Sequence, residues 1–216
     1  MNQKSVIYSV RFLILFYVVG ITGFVIPQTH SFFKTLTPFA LLMSAAFLAW
    51  FHRPAYTTKT LLVFATIFLF SFLAEMVGVQ TGSIFGHYIY GESLGLKILE
   101  TPLIIGLNWL MLIYCTKIIA DRITTSETFK PFLGAFLMVV YDLVLEQAAP
   151  KLDMWSWEGG TIPVQNYVAW FVFAFFFHLM IRKAKVQFKN PLAIPVFVIQ
   201  FLFFVALIIY FMTIRA

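Results

Sequence analysis

Long apolar runs, separated by short breaks of charge, proline and glycine, repeat along the whole chain and predict helices near 7–27, 36–51, 60–78, 101–119, 131–148, 164–181 and 192–214. Crossing the hydrocarbon core of a bilayer takes about 20 apolar residues, and all but the short second run approach that length. Three runs begin with proline, whose missing N–H costs nothing in a first helical turn: Pro102 after Glu100-Thr101, Pro131 after Thr124 to Lys130, and Pro163 after Thr161. The first run is too long for a signal peptide and has no Ala-x-Ala site, so it is expected to stay in place as a helix.

Composition moves this pattern into the membrane. The 216 residues are 61% hydrophobic and only 11% charged, with a mean hydropathy of +0.90, which is not a soluble composition. The fold expected is all-α: one polytopic transmembrane helix bundle of about seven spans over residues 1–216, with any site built inside the bundle or its loops. A lone cysteine, Cys115, rules out an intramolecular disulfide framework and a Cys-rich metal site. The net charge of +6 is better explained by membrane topology than by nucleic-acid binding, which is not expected.

The informative polar residues collect on one side. Glu75 falls in the last turn of the third span, Glu100 just before the fourth, Asp142 and Glu146 in the last two turns of the fifth, and Asn166 at the start of the sixth. The segments joining these ends carry Phe85, Tyr88 and Tyr90 in one and Trp155 and Trp157 in the other. Ionisable groups at membrane depth are costly and point to function. Asp142 and Glu146, four residues apart, share a helix face, repel one another and lie near a negative helix end, so at least one is expected to hold its proton, as a general acid must. The competing reading is an ordinary interfacial helix end, wetted or paired with Lys97 and Lys151. Tyr88, Tyr90, Trp155 and Trp157 likewise have an ordinary reading as interfacial anchors. Trp109 differs, because it lies roughly 10 Å inside the fourth span by helix rise, beside Asn108, whose amide needs a partner or a substrate.

Absent patterns narrow the chemistry. His30, His52, His87 and His178 occur singly, without the clustered histidines of di-iron oxygenases, and only His87 lies near the acids. No span carries an interior lysine for a retinal Schiff base, and there is no GxGxxG, GxxxxGK[ST], Gly-x-Ser-x-Gly or Asp-rich diphosphate motif. A site of carboxylic acids, aromatic rings and amides remains, suited to acid chemistry on a hydrophobic substrate and requiring no metal or redox cofactor.

The run from Glu75 through Gly78, Thr81-Gly82, Phe85-Gly86, Tyr88 and Tyr90, then Leu94-Gly95, Pro102 and Asn108-Trp109, resembles the membrane carotenoid biosynthesis proteins that hydrate the acyclic end of a carotenoid. These are the carotenoid 1,2-hydratases, with bacterioruberin-pathway hydratases of halophilic archaea as relatives. A second block is similar to the same family: Asp142 and Glu146, Trp155-Ser156-Trp157, Gly160, Ile162-Pro163, Asn166 and Trp170. The chain departs from the family pattern at Glu146-Gln147, where Asp-Pro is usual, and at Thr161 and Ala169, where glycine is usual. The resemblance implies a hydro-lyase that adds water across a terminal trisubstituted alkene, with carotenoid, water and bilayer as partners and other membrane enzymes of the pathway as candidates.

The physical argument supplies the roles. Asp142 or Glu146 is expected to donate the proton, and Glu75 with Asn166 to position and deprotonate water. Tyr88, Trp155 and Trp157 would face the cation with their rings, while Tyr90, Asn108 and Trp109 complete the substrate-binding set. A cyclase or isomerase acting through the same cation, or a proton-coupled transporter, would use the same acids; a transporter would be expected to show two repeated halves, and no internal repeat is visible in the sequence.

Seven spans would put Lys4, Arg11, Arg53, Lys59, Lys117, Arg122, Lys130, Arg182, Lys183, Lys185 and Lys189 on the side of the N-terminus, against Lys34, Lys97, Lys151 and Arg215 on the other. By the positive-inside rule the N-terminus is cytoplasmic, the C-terminus outside, and the acids in the outer half. In a Cys115→Ala background, a cysteine at Ser156 should therefore react with a membrane-impermeant thiol reagent added to intact cells, and one at Ser126 should not. The opposite labelling pattern would invert the topology.

Overall fold

The structure, a computed structural model, describes residues 2–214, so Arg215 lies outside the described residues. Its elements are α1 (Gln3–Val25), α2 (Pro27–Thr35), α3 (Thr37–Phe51), α4 (Thr58–Thr81), β1 (Tyr88–Tyr90), β2 (Lys97–Ile98), β3 (Thr101–Pro102), α5 (Ile104–Ile123), α6 (Phe129–Ala148), β4 (Trp155–Trp157), α7 (Val164–Lys183) and α8 (Ala193–Ile214). The all-α transmembrane bundle is as expected, but the number of spans is not seven. Among the described residues, five helices, α1, α4, α5, α7 and α8, are by length and composition apolar enough to cross a membrane, and six if α2 and α3 count as one. That pair is bent by 55° because Pro38 enters the first turn of α3, where it lacks an N–H and its ring would clash with the Lys34 carbonyl of a continuous helix. The remaining long helix, α6, carries Asp142 and Glu146 in its last turns and packs on α5, α7 and α8, with Phe132, Phe136 and Leu143 exposed on its outer face.

Local chemistry sets several boundaries. Thr57 caps α4 by accepting a hydrogen bond from the Thr60 amide at 3.2 Å. Gly82 ends α4 in the left-handed region at φ 66, sparing a Cβ strain there. The expected start of the fourth span at 101 shifts to Ile104, since Thr101-Pro102 pairs with Lys97-Ile98 as a two-residue hairpin. Pro163 caps α7 from outside the helix, whereas Pro131 does lie in the first turn of α6.

α5 is the centre of the bundle: 67% of its apolar stretch is buried, against 17% for α1. It packs on α4, α6 and α8, α6 packs on α7, and α1 pairs with α8. The outer surface is apolar, with Trp50 79%, Val164 75% and Phe176 62% exposed, as expected where lipid is the solvent and not where water is. Two close approaches need glycine. A Cβ at Gly106 would lie 2.7 Å from the Phe68 carbonyl oxygen of α4, and one at Gly134 would lie 2.4 Å from His178 Nε2 of α7. At the end of the bundle far from the carboxylates, Lys130 of α6 binds Asp121 of α5 at 3.5 Å and shares Glu127 with Arg182 of α7, tying the ends of α5, α6 and α7 together, while Lys117 pairs with Asp121 within α5.

Because the approach of α5 to α4 sets the spacing between Trp109 and Glu75, Gly106→Leu should cost at least the roughly 1–3 kcal/mol of an overpacked core. It should lower the midpoint of thermal unfolding in detergent. Phe176→Leu, on the outward face, should leave it in place.

Candidate active site

Four helix ends meet at one end of the bundle: the C-terminal ends of α4 and α6 and the N-terminal ends of α5 and α7. Glu75, 3% exposed, points from the last turns of α4 into the interior. Its Oε2 accepts from the Tyr88 hydroxyl at 2.6 Å and the Tyr90 hydroxyl at 2.8 Å, and its Oε1 from Trp109 Nε1 at 2.9 Å. Burial first, then the neighbouring Glu75 charge, holds the Tyr88 and Tyr90 phenols well above their usual value. Both therefore stay protonated and act as donors to the carboxylate.

The second centre is built on α6, where Asp142 and Glu146 lie one turn apart on the buried face. Glu146 Oε2 accepts from Trp155 Nε1 at 3.0 Å and Trp157 Nε1 at 2.7 Å. Asn166, from the first turn of α7, donates through Nδ2 to Asp142 Oδ2 at 2.8 Å and to Glu146 Oε1 at 3.2 Å. One amide thus bridges the two acids. Asp142 Oδ1 is buried without a hydrogen-bond partner among the described residues, so Asp142 has the fewest donors of the three acids.

Two short strands join the centres. β1 and β4 pair antiparallel with Tyr88 opposite Trp157, Ile89 opposite Ser156 and Tyr90 opposite Trp155. Alternation along a strand sends the four aromatic side chains inward and leaves Ile89 and Ser156 exposed. The rings then touch in pairs, Tyr88 and Trp157 with centroids 5.0 Å apart and Tyr90 and Trp155 6.0 Å apart. Behind them Trp109 stacks on Trp170 at 4.2 Å. Between Glu75 and Glu146 remains a gap of about 10 Å³, roughly the space of one water molecule.

The residues expected to form a site thus converge, with specific differences. Asn166 serves Asp142 and Glu146 and makes no hydrogen bond to Glu75 among the described residues. Asn108 is buried but does not line the gap; it faces a larger cavity beside it. Glu100 and His87 are exposed. Lys97 binds Glu92 at 2.7 Å and the Tyr90 carbonyl at 3.1 Å, and neither it nor Lys151 pairs with the buried acids among the described residues. The reading of these acids as helix ends neutralised by lysine is therefore set aside. Phe85 and Trp170, which line the gap, were not among the expected site residues. Trp170 is four residues after Asn166, on the same helix face, and that spacing was the available signal. The β1–β4 pairing was missed as well, although Tyr-Ile-Tyr and Trp-Ser-Trp both alternate.

A helical transmembrane protein that buries three hydrogen-bonded acids under aromatic rings at one end of its bundle is a class suited to chemistry on apolar molecules. The chain belongs to the carotenoid biosynthesis protein family, which it matches over residues 36–216. The bisanhydrobacterioruberin hydratase of Haloarcula japonica is 28% identical over 122 residues, a match that covers 50% of this chain and 40% of that protein. The matched region thus spans about two fifths of that relative's length. No solved structure matches the chain.

Trp157→Phe keeps the ring and removes one N–H from Glu146. Depriving a buried acceptor of a donor costs about 1–3 kcal/mol, so this variant should unfold at a lower temperature in detergent. Ser156→Ala, one residue away on the outward face, should unfold with the parent.

Proposed function

We propose that the protein is a carotenoid hydratase of the membrane, adding water to the terminal 1,2 double bond of an acyclic carotenoid end group by acid catalysis. The observation that carries this reading is the pair of acid centres facing each other across a gap of one water's size, roofed by aromatic rings and enclosed in an apolar bundle. Family membership and the hydratase relative support the substrate class.

Asp142 and Glu146 form the proton source: two like charges bridged by one amide are far more stable sharing a single proton than both ionised. Glu146 is the member that lines the gap, with Asp142 behind it. Transfer of the proton to the less substituted alkene carbon consumes the π pair and leaves a tertiary cation. The ring faces of Tyr88, Trp155 and Trp157 stabilise that cation. Glu75 has three donors on its carboxylate and one acceptor direction left on Oε1. It holds the attacking water there and takes its proton as the new C–O bond forms. One proton has left the α6 pair and one has reached Glu75, so exchange between the two centres resets the site. The chemistry draws on a proton and a water molecule only. The protein resides in the cell membrane with its basic end in the cytoplasm and the acids at the outer face, where it would meet other enzymes of the same pathway.

Purified protein in lipid, given lycopene without oxygen, reductant or added metal, should form a product heavier by one water. Its hydroxyl oxygen should come from labelled water, and in heavy water one deuterium should be retained on the carbon beside the alcohol. Glu146→Gln and Asp142→Asn should each lose about 100-fold or more of this activity, the contribution of a general acid, while still accumulating as folded protein. Oxygen label taken from dioxygen would end the hydratase reading. A product of unchanged mass with a new ring would reassign the same acids to a cyclase.

A further inference from the structure

A second space lies beside the acid gap. It measures about 240 Å³ and is enclosed by α1, the bent α2–α3 pair and the inner faces of α5, α6 and α8. Its wall is almost wholly apolar, and apolar cavities of this kind stay dry and take hydrocarbon. Val19 and Phe39, both 51% exposed, form its rim on the outer surface of the bundle, so the cavity opens sideways into lipid. Ile105 and Trp155 line this cavity and the acid gap alike. One face of the Trp155 indole therefore closes the cavity while its N–H holds Glu146 at 3.0 Å. Asn108 lines the same wall, 5% exposed, with no side-chain hydrogen bond among the described residues. Its amide is a polar group on that wall within reach of whatever enters the cavity.

We infer that this cavity is the lane by which the linear, apolar end of an isoprenoid polyene passes from the bilayer to the acid centre, with its terminal alkene brought against Trp155. The inference rests on the proposed function and adds to it the route and the shape of the substrate. The cavity holds the end of a chain and not its whole length, so the rest of the polyene stays in lipid beyond Val19 and Phe39. An end group already closed into a ring presents a wider front to the same passage and enters poorly. Asn108 is the polar group that meets an oxygen brought in with, or formed on, that end.

The test separates occupancy from turnover. The Glu146→Gln protein, in which turnover stops, is expressed in a bacterium that makes lycopene and purified in detergent, and bound lycopene is read from its visible absorbance relative to protein. Adding Ala40→Trp fills the lane from α3 and should lower bound lycopene about fivefold or more, the ratio that 1 kcal/mol of overpacking sets. Adding Phe39→Ala removes a ring from the rim and should leave bound lycopene unchanged or higher. Monodisperse elution at equal yield shows that each variant is folded. Lycopene absent from the Glu146→Gln protein, equal lycopene with Ala40→Trp, or the same loss with Phe39→Ala would each overturn the lane. The proposed function fails separately: if Ala40→Trp blocks binding as expected but the parent yields no water-added product, the lane stands and the hydratase does not. If the parent and Ala40→Trp make that product equally well, the hydratase stands and the lane does not.

Discussion

Three carboxyl groups buried in an apolar bundle are the constraint on which the rest of the structure depends. A buried acceptor left without a donor costs about 1–3 kcal/mol, and a charged one more, so the chain must bring donors to Glu75, Asp142 and Glu146. It brings six side chains: Tyr88, Tyr90 and Trp109 to Glu75, Trp155 and Trp157 to Glu146, and Asn166 to both members of the α6 pair. None is a lysine or arginine. Neutral donors satisfy the oxygens without cancelling the charge, which keeps each centre available to give or take a proton. Lys97 is held by Glu92 and the Tyr90 carbonyl, and Lys117, Lys130 and Arg182 by Asp121 and Glu127 at the far end of the bundle.

The same construction occurs twice. α4 carries Glu75 and leads to β1, whose two inward residues return to Glu75; α6 carries Glu146 and leads to β4, whose two inward residues return to Glu146. In each case the following helix adds a last donor, Trp109 from α5 or Asn166 from α7. Antiparallel pairing of β1 with β4 joins the two units and fixes the distance between their acids. The donors differ chemically, phenols in one unit and indoles in the other, so the repetition is visible in space while the sequence shows no repeat. Trp155 then has two duties, since it belongs to the acid centre through its N–H and to the apolar cavity through its ring.

Much of this was legible in the sequence because it rests on one-dimensional signals. Hydrophobic runs mark the helices, and a carboxylate inside such a run stands out by its cost, as Glu75, Asp142 and Glu146 do, with Asn166 marked by its place at the start of the sixth run. The failures share a cause in tertiary context. A strand of three residues has no stability of its own, so Tyr88-Ile89-Tyr90 and Trp155-Ser156-Trp157 read as interfacial aromatics until they pair. Pro102 looked like a first-turn proline because nothing local shows that Lys97 and Ile98 come back to pair with it and Thr101. The second run, 36–51, matches α3, but α2 before it gave no hydrophobic signal, since Pro27–Thr35 is largely polar and lies between the first two expected runs. Asn108 and Trp109 are adjacent and were assigned together, yet neighbouring residues on a helix point about 100° apart, and they face different spaces. The cavity has no sequence signal at all, since it is volume left between helices that do not adjoin in the chain.

Glu146-Gln147, where the resemblance drawn from the sequence implies Asp-Pro, finds a geometric account in these contacts. A glutamate is one methylene longer than an aspartate, about 1.5 Å, and Glu146 uses that reach to accept from Trp155, Trp157 and Asn166 together. An aspartate on this backbone would fall short of the β4 indoles or would draw the strand toward α6. Gln147, unlike a proline, carries a backbone N–H and poses no clash with the carbonyl four residues earlier, so α6 runs on to Ala148 and Ala149 still bonds back to Leu145 at 2.9 Å. The extra length of the side chain and the unbroken end of the helix act together: the helix holds Glu146 at a fixed height on α6, and the longer side chain spans the remaining distance to the strand. Substitution at either position alone would disturb the alignment of Glu146 with Trp155, and with it the junction between the acid centre and the cavity.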